Sequence, residues 1–166
     1  MAHIPSQPQH RNPLTLLLDV IGQDKKGDVL AGEIGAILEA TMFSPADADF
    51  LVEMERWEAA EAYVMKLVDQ INGDFYGSLL PLGEAMEQDG RTLCASVVYR
   101  ALLDSILRRG HTKSYPHGVR YLRKLERLAQ TVADWRNIAP HNVYQQGIKL
   151  NHGRKSSFWS LYRGKG

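Results

Sequence analysis

Residues 93–133 read LCASVVYRALLDSILRRGHTKSYPHGVRYLRKLERLAQTVA. In the first part Cys94, Val98, Ala101, Leu102 and Ile106 return at steps of three and four, and in the second Tyr115, Val119, Leu122, Leu125, Ala129 and Val132 do the same. Residues at that spacing share one side of an α-helix, so each set predicts an apolar stripe. The polar link Arg109-Gly110-His111-Thr112-Lys113 joins the two segments. A connection that short makes the helices antiparallel neighbours, each covering the other's stripe. Pro116 suits a first helical turn, where its missing N–H loses no bond, and Ser114 is placed to cap it.

A chain of 166 residues can bury a core and most simply forms one domain. The reading outward from the hairpin gives a flexible tail over residues 1–13, a single helical unit over 14–162 and a flexible end over 163–166. The opening carries Pro5, Pro8 and Pro13 without the small-residue cleavage pattern of a secretory signal. Charges or glycines interrupt every apolar run well before the roughly 18 residues that a bilayer requires. Cys94 is the only cysteine, so no internal disulfide is available, and on an apolar face it reads as core packing. These features favour a cytoplasmic setting without membrane attachment.

The formal net charge of +1 hides a strong polarity. Residues 1–90 hold 5 Lys/Arg against 16 Asp/Glu, a net of −11, while residues 91–166 hold 15 against 3, a net of +12. The halves attract, and part of that charge is expected to be satisfied within the fold or between copies of it.

Before the hairpin, Leu14–Ile21 is an apolar run read as a short helix, and Val29–Thr41 reads as a second with Ile34, Ile37 and Leu38 on one side. Gly32 and Gly35 weaken that second helix, and close packing is the expected compensation. Ser44-Pro45-Ala46-Asp47 is a helix start, with helical character continuing to about Ile71 across a break near Glu55-Arg56. Asn72-Gly73-Asp74 ends it. A helix over Asp74–Gln88 follows, with Pro81 predicting either a kink or a later start. Residues 56–71 match residues 91–106 at an offset of 35: Ala60 falls on Ala95, and Leu67-Val68-Asp69-Gln70-Ile71 on Leu102-Leu103-Asp104-Ser105-Ile106. That offset is close to the roughly 34-residue unit of a helix–turn–helix repeat. After the hairpin a short helix is expected over His141–Leu150, and Phe158, Trp159 and Tyr162 are expected to dock onto the core.

Four stretches carry a resemblance: Leu79-Leu-Pro-Leu-Gly-Glu-Ala-Met, Tyr99-Arg-Ala-Leu-Leu-Asp-Ser-Ile-Leu-Arg-Arg-Gly, Lys113-Ser-Tyr-Pro-His-Gly-Val-Arg-Tyr-Leu-Arg-Lys-Leu and His152-Gly-Arg-Lys-Ser-Ser-Phe-Trp. With them, roughly residues 50–162 resemble a bacterial helical domain of unknown function that also accompanies some SWIM-type zinc-finger proteins. The resemblance implies paired helices in a small tetratricopeptide-like array and no assigned catalytic chemistry. One cysteine cannot supply the zinc ligands of the larger relatives.

The candidate binding residues are basic and aromatic. At 100° per residue, Arg120, Arg123, Lys124 and Arg127 fall within about 100° of arc opposite the Leu122/Leu125 stripe. Tyr115, His117, His152, Arg154 and Lys155 belong to the two polar motifs that flank the helices, and Tyr115, His117, Arg120, His152 and Arg154 are candidates for one cleft. No His-Glu-x-x-His, Gly-x-Ser-x-Gly or phosphate-loop pattern occurs, and no His or Cys pair has zinc spacing. The expectation is therefore an all-α, non-enzymatic module with no cofactor and no metal. It binds a protein partner, or a second copy of itself, by shape and charge. A nucleic-acid accessory role for the basic half is the alternative.

Overall fold

The computed structural model describes residues 23–165, and every regular element among them is helical. In order these are α1 (Gln23–Glu39), α2 (Pro45–Glu53), α3 (Trp57–Lys66), a 3₁₀ turn (Val68–Gln70), α4 (Tyr76–Gln88), α5 (Thr92–Arg109), a 3₁₀ turn (Thr112–Ser114), α6 (Tyr115–Ala129), α7 (His141–His152) and α8 (Ser156–Ser160), then a wide turn (Leu161–Lys165). The apolar run Leu14–Ile21 lies outside the described residues.

Helix α5 is the axis of the molecule. Residues from all round its circumference are buried, among them Cys94, Ala95, Val98, Tyr99, Leu102, Leu103 and Leu107. Its most extensive neighbours are α6 and α4. Both run antiparallel to it, as the order of contacts shows: Gly118 of α6 faces Leu103 and Ile106 while Tyr121 stacks on Tyr99, and Gly83 of α4 faces Val98 and Tyr99 while Asp74, just before α4, meets Ser105. The hairpin predicted from residues 93–133 is thus present. Its second helix ends at Ala129, leaving Val132 beyond it, and Leu128 completes the buried stripe.

The break expected near Glu55-Arg56 is a sharp corner, and it occurs twice. At the end of α2, Glu55 N–H bonds Val52 carbonyl and Arg56 N–H bonds Leu51 carbonyl; at the end of α4, Gly90 N–H bonds Glu87 carbonyl and Arg91 N–H bonds Met86 carbonyl. These paired bonds are the Schellman pattern, with the left-handed position filled by Glu55 (φ 56°) in one copy and Gly90 (φ 77°) in the other. Every residue of the second corner lies 35 positions after its counterpart, the offset seen in the sequence. The copies diverge afterwards: α3 ends at Lys66 and gives way to a 3₁₀ turn, whereas α5 continues to Arg109.

Other expectations are corrected. Helix α1 starts at Gln23, before Val29, and side-chain space at Gly32 and Gly35 is open, so close packing does not compensate for them. The closest approach to α5 is at Gly73, where a Cβ would lie 1.9 Å from Ala101 carbonyl oxygen. Helix α4 begins at Tyr76 and runs through Pro81, which is exposed. Ser44 does cap α2, accepting from Asp47 N–H at 3.3 Å with Pro45 in the first turn. Ser114 precedes α6 without a side-chain cap, because the 3₁₀ turn Thr112–Ser114 leads into the helix instead.

Ion pairing accounts for part of the charge polarity. Arg91 and Arg136 both reach Glu61 (3.6 and 3.4 Å), Arg108 reaches Asp74 (2.6 Å) and Lys124 reaches Glu87 (3.1 Å). Each of these pairs joins the acidic half to the basic half.

Two substitutions test this architecture by urea unfolding. Gly73→Ala drives a methyl into the α5 backbone and is expected to lower stability by about 3 kcal/mol. Glu55→Gly relieves a left-handed non-glycine residue at the exposed corner and is expected to raise stability by roughly 0.5–1 kcal/mol, the strain relief exceeding glycine's extra chain entropy.

Candidate functional site

Helices α4, α5 and α6 enclose a groove of about 470 Å³. Its floor is apolar, from Leu80, Leu102, Ile106 and Tyr121, and Tyr76 stands at its edge with 61% of its surface exposed. Arg109, His111, His117 and Arg120 supply the polar rim. The groove lies where α4 and α6 pack side by side on α5, with Pro116 in the first turn of α6 and His117 and Arg120 of that helix lining it. Arg120 Nη2 donates to His117 Nδ1 at 2.5 Å, which ties the two rim residues together.

The predicted basic face divides when placed in three dimensions. Arg120, Arg123 and Arg127 are exposed on α6. Arg123 is held by Tyr162, whose carbonyl accepts from Nη2 at 2.8 Å. Lys124 turns inward: its ammonium pairs with Glu87 and lies 5.0 Å from the centroid of the Tyr99 ring. Sequence spacing placed Lys124 on the solvent side because it cannot see that α4 brings a carboxylate within reach.

The five candidate cleft residues do not converge. Tyr115 is buried, with its ring edge-to-face against Phe158. His117 and Arg120 open onto the groove. His152 lies at the end of α7, where its carbonyl accepts from Trp159 Nε1 at 2.9 Å, and Asp104 and Lys155 are the charges that act on its ring. Burial pulls the His152 pKa down, and Lys155 adds to that effect over the opposing Asp104. Arg154 is exposed; Lys155 is half-buried at the start of α8, where its carbonyl accepts from Phe158 and Trp159 N–H. Phe158 and Trp159 are buried as expected, and the Tyr162 hydroxyl bonds the Glu126 carboxylate.

Sequence reasoning missed a second cleft, of about 760 Å³, between the 68–73 segment, α5 and α7. Arg100 lines it, with only 8% of its surface exposed. Its guanidinium carbon lies 4.5 Å from the Tyr144 ring centroid and 5.2 Å from that of Trp135, and neither Nε nor Nη2 has a hydrogen-bond acceptor. Burial pulls the Arg100 pKa down, with the Tyr144 and Asp104 oxygens opposing. Cation–π contact contributes about 0.5–2 kcal/mol per ring, which is less than the several kcal/mol required to desolvate an unpaired charge. The sequence signal was weak: an arginine inside an apolar helical run, with Asp104 one turn later.

Among the described residues, no three His, Cys, Asp or Glu side chains are grouped so as to hold a metal ion, and no helix is long and apolar enough to cross a membrane. Residues 33–161 match the family of unknown function DUF6880, and the chain belongs to that family. No curated protein and no solved structure gives a match.

Outside the groove lining, the Glu87 carboxylate between α4 and α6 is held by Tyr99 and Lys124. Burial raises the Glu87 pKa, but hydrogen bonds from Tyr99 and Lys124, with the Lys124 and Arg127 charges, outweigh it and hold the carboxyl below its ordinary value. A depressed carboxyl stabilises the fold above its unfolded pKa of about 4.3, and that stabilisation is lost as pH falls through the folded value. Glu87→Gln is therefore expected to reduce stability at neutral pH, with the gap from wild type closing in acid. A cycle with Lys124→Met should give a coupling of about 1 kcal/mol at pH 7.

Proposed function

We propose that this protein is a non-enzymatic helical interaction module of bacterial cytoplasm, built as a small tetratricopeptide-like array. Its partner is a protein segment that enters the α4/α6 groove with apolar side chains downward and acidic side chains at the rim. The observation that carries this reading is the apolar floor edged by exposed Tyr76 and rimmed by Arg109 and Arg120. An exposed tyrosine and arginine beside an apolar depression are the residue types that dominate binding energy at protein interfaces. The twice-used corner at a 35-residue offset supports the repeat-like arrangement.

A nucleic acid is the less favoured ligand. Lys124 is neutralised by Glu87 and Arg123 is engaged by the C-terminal turn, which leaves fewer free cations than the sequence suggests. Phosphate backbones also lack the apolar side chains for which the groove floor is suited.

Fluorescence anisotropy with a labelled synthetic peptide that alternates Leu with Glu tests the proposal. Binding is expected, with Tyr76→Ala and Arg120→Ala each weakening it by about tenfold or more. A peptide with Lys in place of Glu is expected not to bind. No binding of the acidic peptide, or equal binding by both variants, overturns the reading. Salt-sensitive binding of duplex DNA or RNA, lost when Arg120, Lys124 and Arg127 are neutralised together, transfers the function to the nucleic-acid alternative.

A further inference from the structure

Across α5 from the groove, the second cleft contains two charges of opposite sign one helical turn apart. Arg100 has no side-chain hydrogen bond to any described residue. Its Nε and Nη2 are sealed from solvent without an acceptor, and Arg100 lines the cleft. Asp104, on the same side of α5, is exposed and lines the same cleft. One of its oxygens accepts from the Tyr144 hydroxyl at 2.7 Å, and Tyr144 also reaches Arg100 carbonyl at 3.3 Å. Tyr144 therefore holds the carboxylate and stacks on the guanidinium at once. Arg100 and Asp104 stay apart as charges, with no ion pair between them.

A buried cation without an acceptor is incomplete in the physical sense that its desolvation is not offset by the protein. The missing partner has the properties of an oxyanion. A polyanion does not fit, because Asp69 and Asp104 share the lining with Arg100 and Arg108 and bring it to electrical balance. Arg108 is moreover already paired with Asp74. A ligand with one negative and one positive group fits both poles, and Val97, Ile138 and the Tyr144 ring offer apolar wall for what joins them.

We infer that the cleft between α5 and α7 is a binding site for a free α-amino acid, whose carboxylate meets the Arg100 guanidinium and whose ammonium meets Asp104. The site meets a different side of α5 from the peptide groove, which lies on the Leu102/Ile106 side, and the two linings share Gly73. Arg100 and Asp104 each bind one end of the ligand, and Tyr144 positions both.

Calorimetric titration and thermal-shift measurement on the full chain test this with glycine, leucine and phenylalanine, and with the two single-headed analogues of leucine, isoamylamine and 4-methylpentanoate. At least one amino acid is expected to bind and raise the melting temperature. If it is leucine, each analogue should bind about tenfold more weakly or worse. Arg100→Met removes the uncompensated charge at similar volume, so the variant is expected to fold and to lose the amino-acid response. Asp104→Asn is expected to bind leucine no better than the wild type binds 4-methylpentanoate, while Arg120→Ala in the groove leaves amino-acid binding unchanged. The inference is overturned if none of the three amino acids binds, if Arg100→Met retains wild-type affinity, or if the analogues match leucine.

Discussion

The structure depends on the burial of α5 round its circumference. A helix with one wet face can place polar groups there, but α5 has little such freedom, so its interior polar side chains must find partners close at hand. Ser96 donates back to Thr92 carbonyl at 2.8 Å, and Ser105 donates to Asp74, which is itself held by Arg108. Arg100 is the exception, because rings cover it and its Nε and Nη2 meet no acceptor. Everything else is arranged along this axis: α4 and α6 flank it, α3 packs more lightly on it, and the C-terminal aromatic residues close over α6.

The N-terminal elements are secured by a different means. The link from α1 to α2 is tied down by polar contacts from α3 and the 3₁₀ turn that follows it. Lys66 donates to Leu38 carbonyl, Gln70 both donates to Thr41 carbonyl and accepts from Phe43 N–H, and Tyr63 hydroxyl accepts from Ser44 N–H. These bonds satisfy carbonyls at the end of α1 and begin α2 in register, so that Ser44 is already fixed when it caps. Phe43 stacked on Tyr63 adds apolar contact at the same point.

Much of the fold was legible because it is written in local periods and turn chemistry. The stripes of α5 and α6, the Ser44-Pro45 start and the break at Glu55-Arg56 each depend on residues within one or two turns. The 35-residue offset was legible as well, and the matching hydrogen bonds at both corners give it a physical basis. The site was less legible, since what matters there is which element lies opposite. Lys124 looked solvent-facing until α4 placed Glu87 beside it, and Tyr115, which the sequence put both in the apolar stripe and among the cleft candidates, is buried against Phe158. Arg100 gave no sign of its two aromatic neighbours, which come from residues 35 and 44 positions later in the chain.

Cys94 lies at 0% exposure on α5, with burial pushing its thiol up to about 12. The only sulfhydryl in the sequence is therefore both protonated and shielded for as long as its helix stays in place. An alkylating reagent would reach it only during moments when α5 is released from its neighbours. The chain thus carries its own clock for the opening of its central helix, readable by mass without any added label.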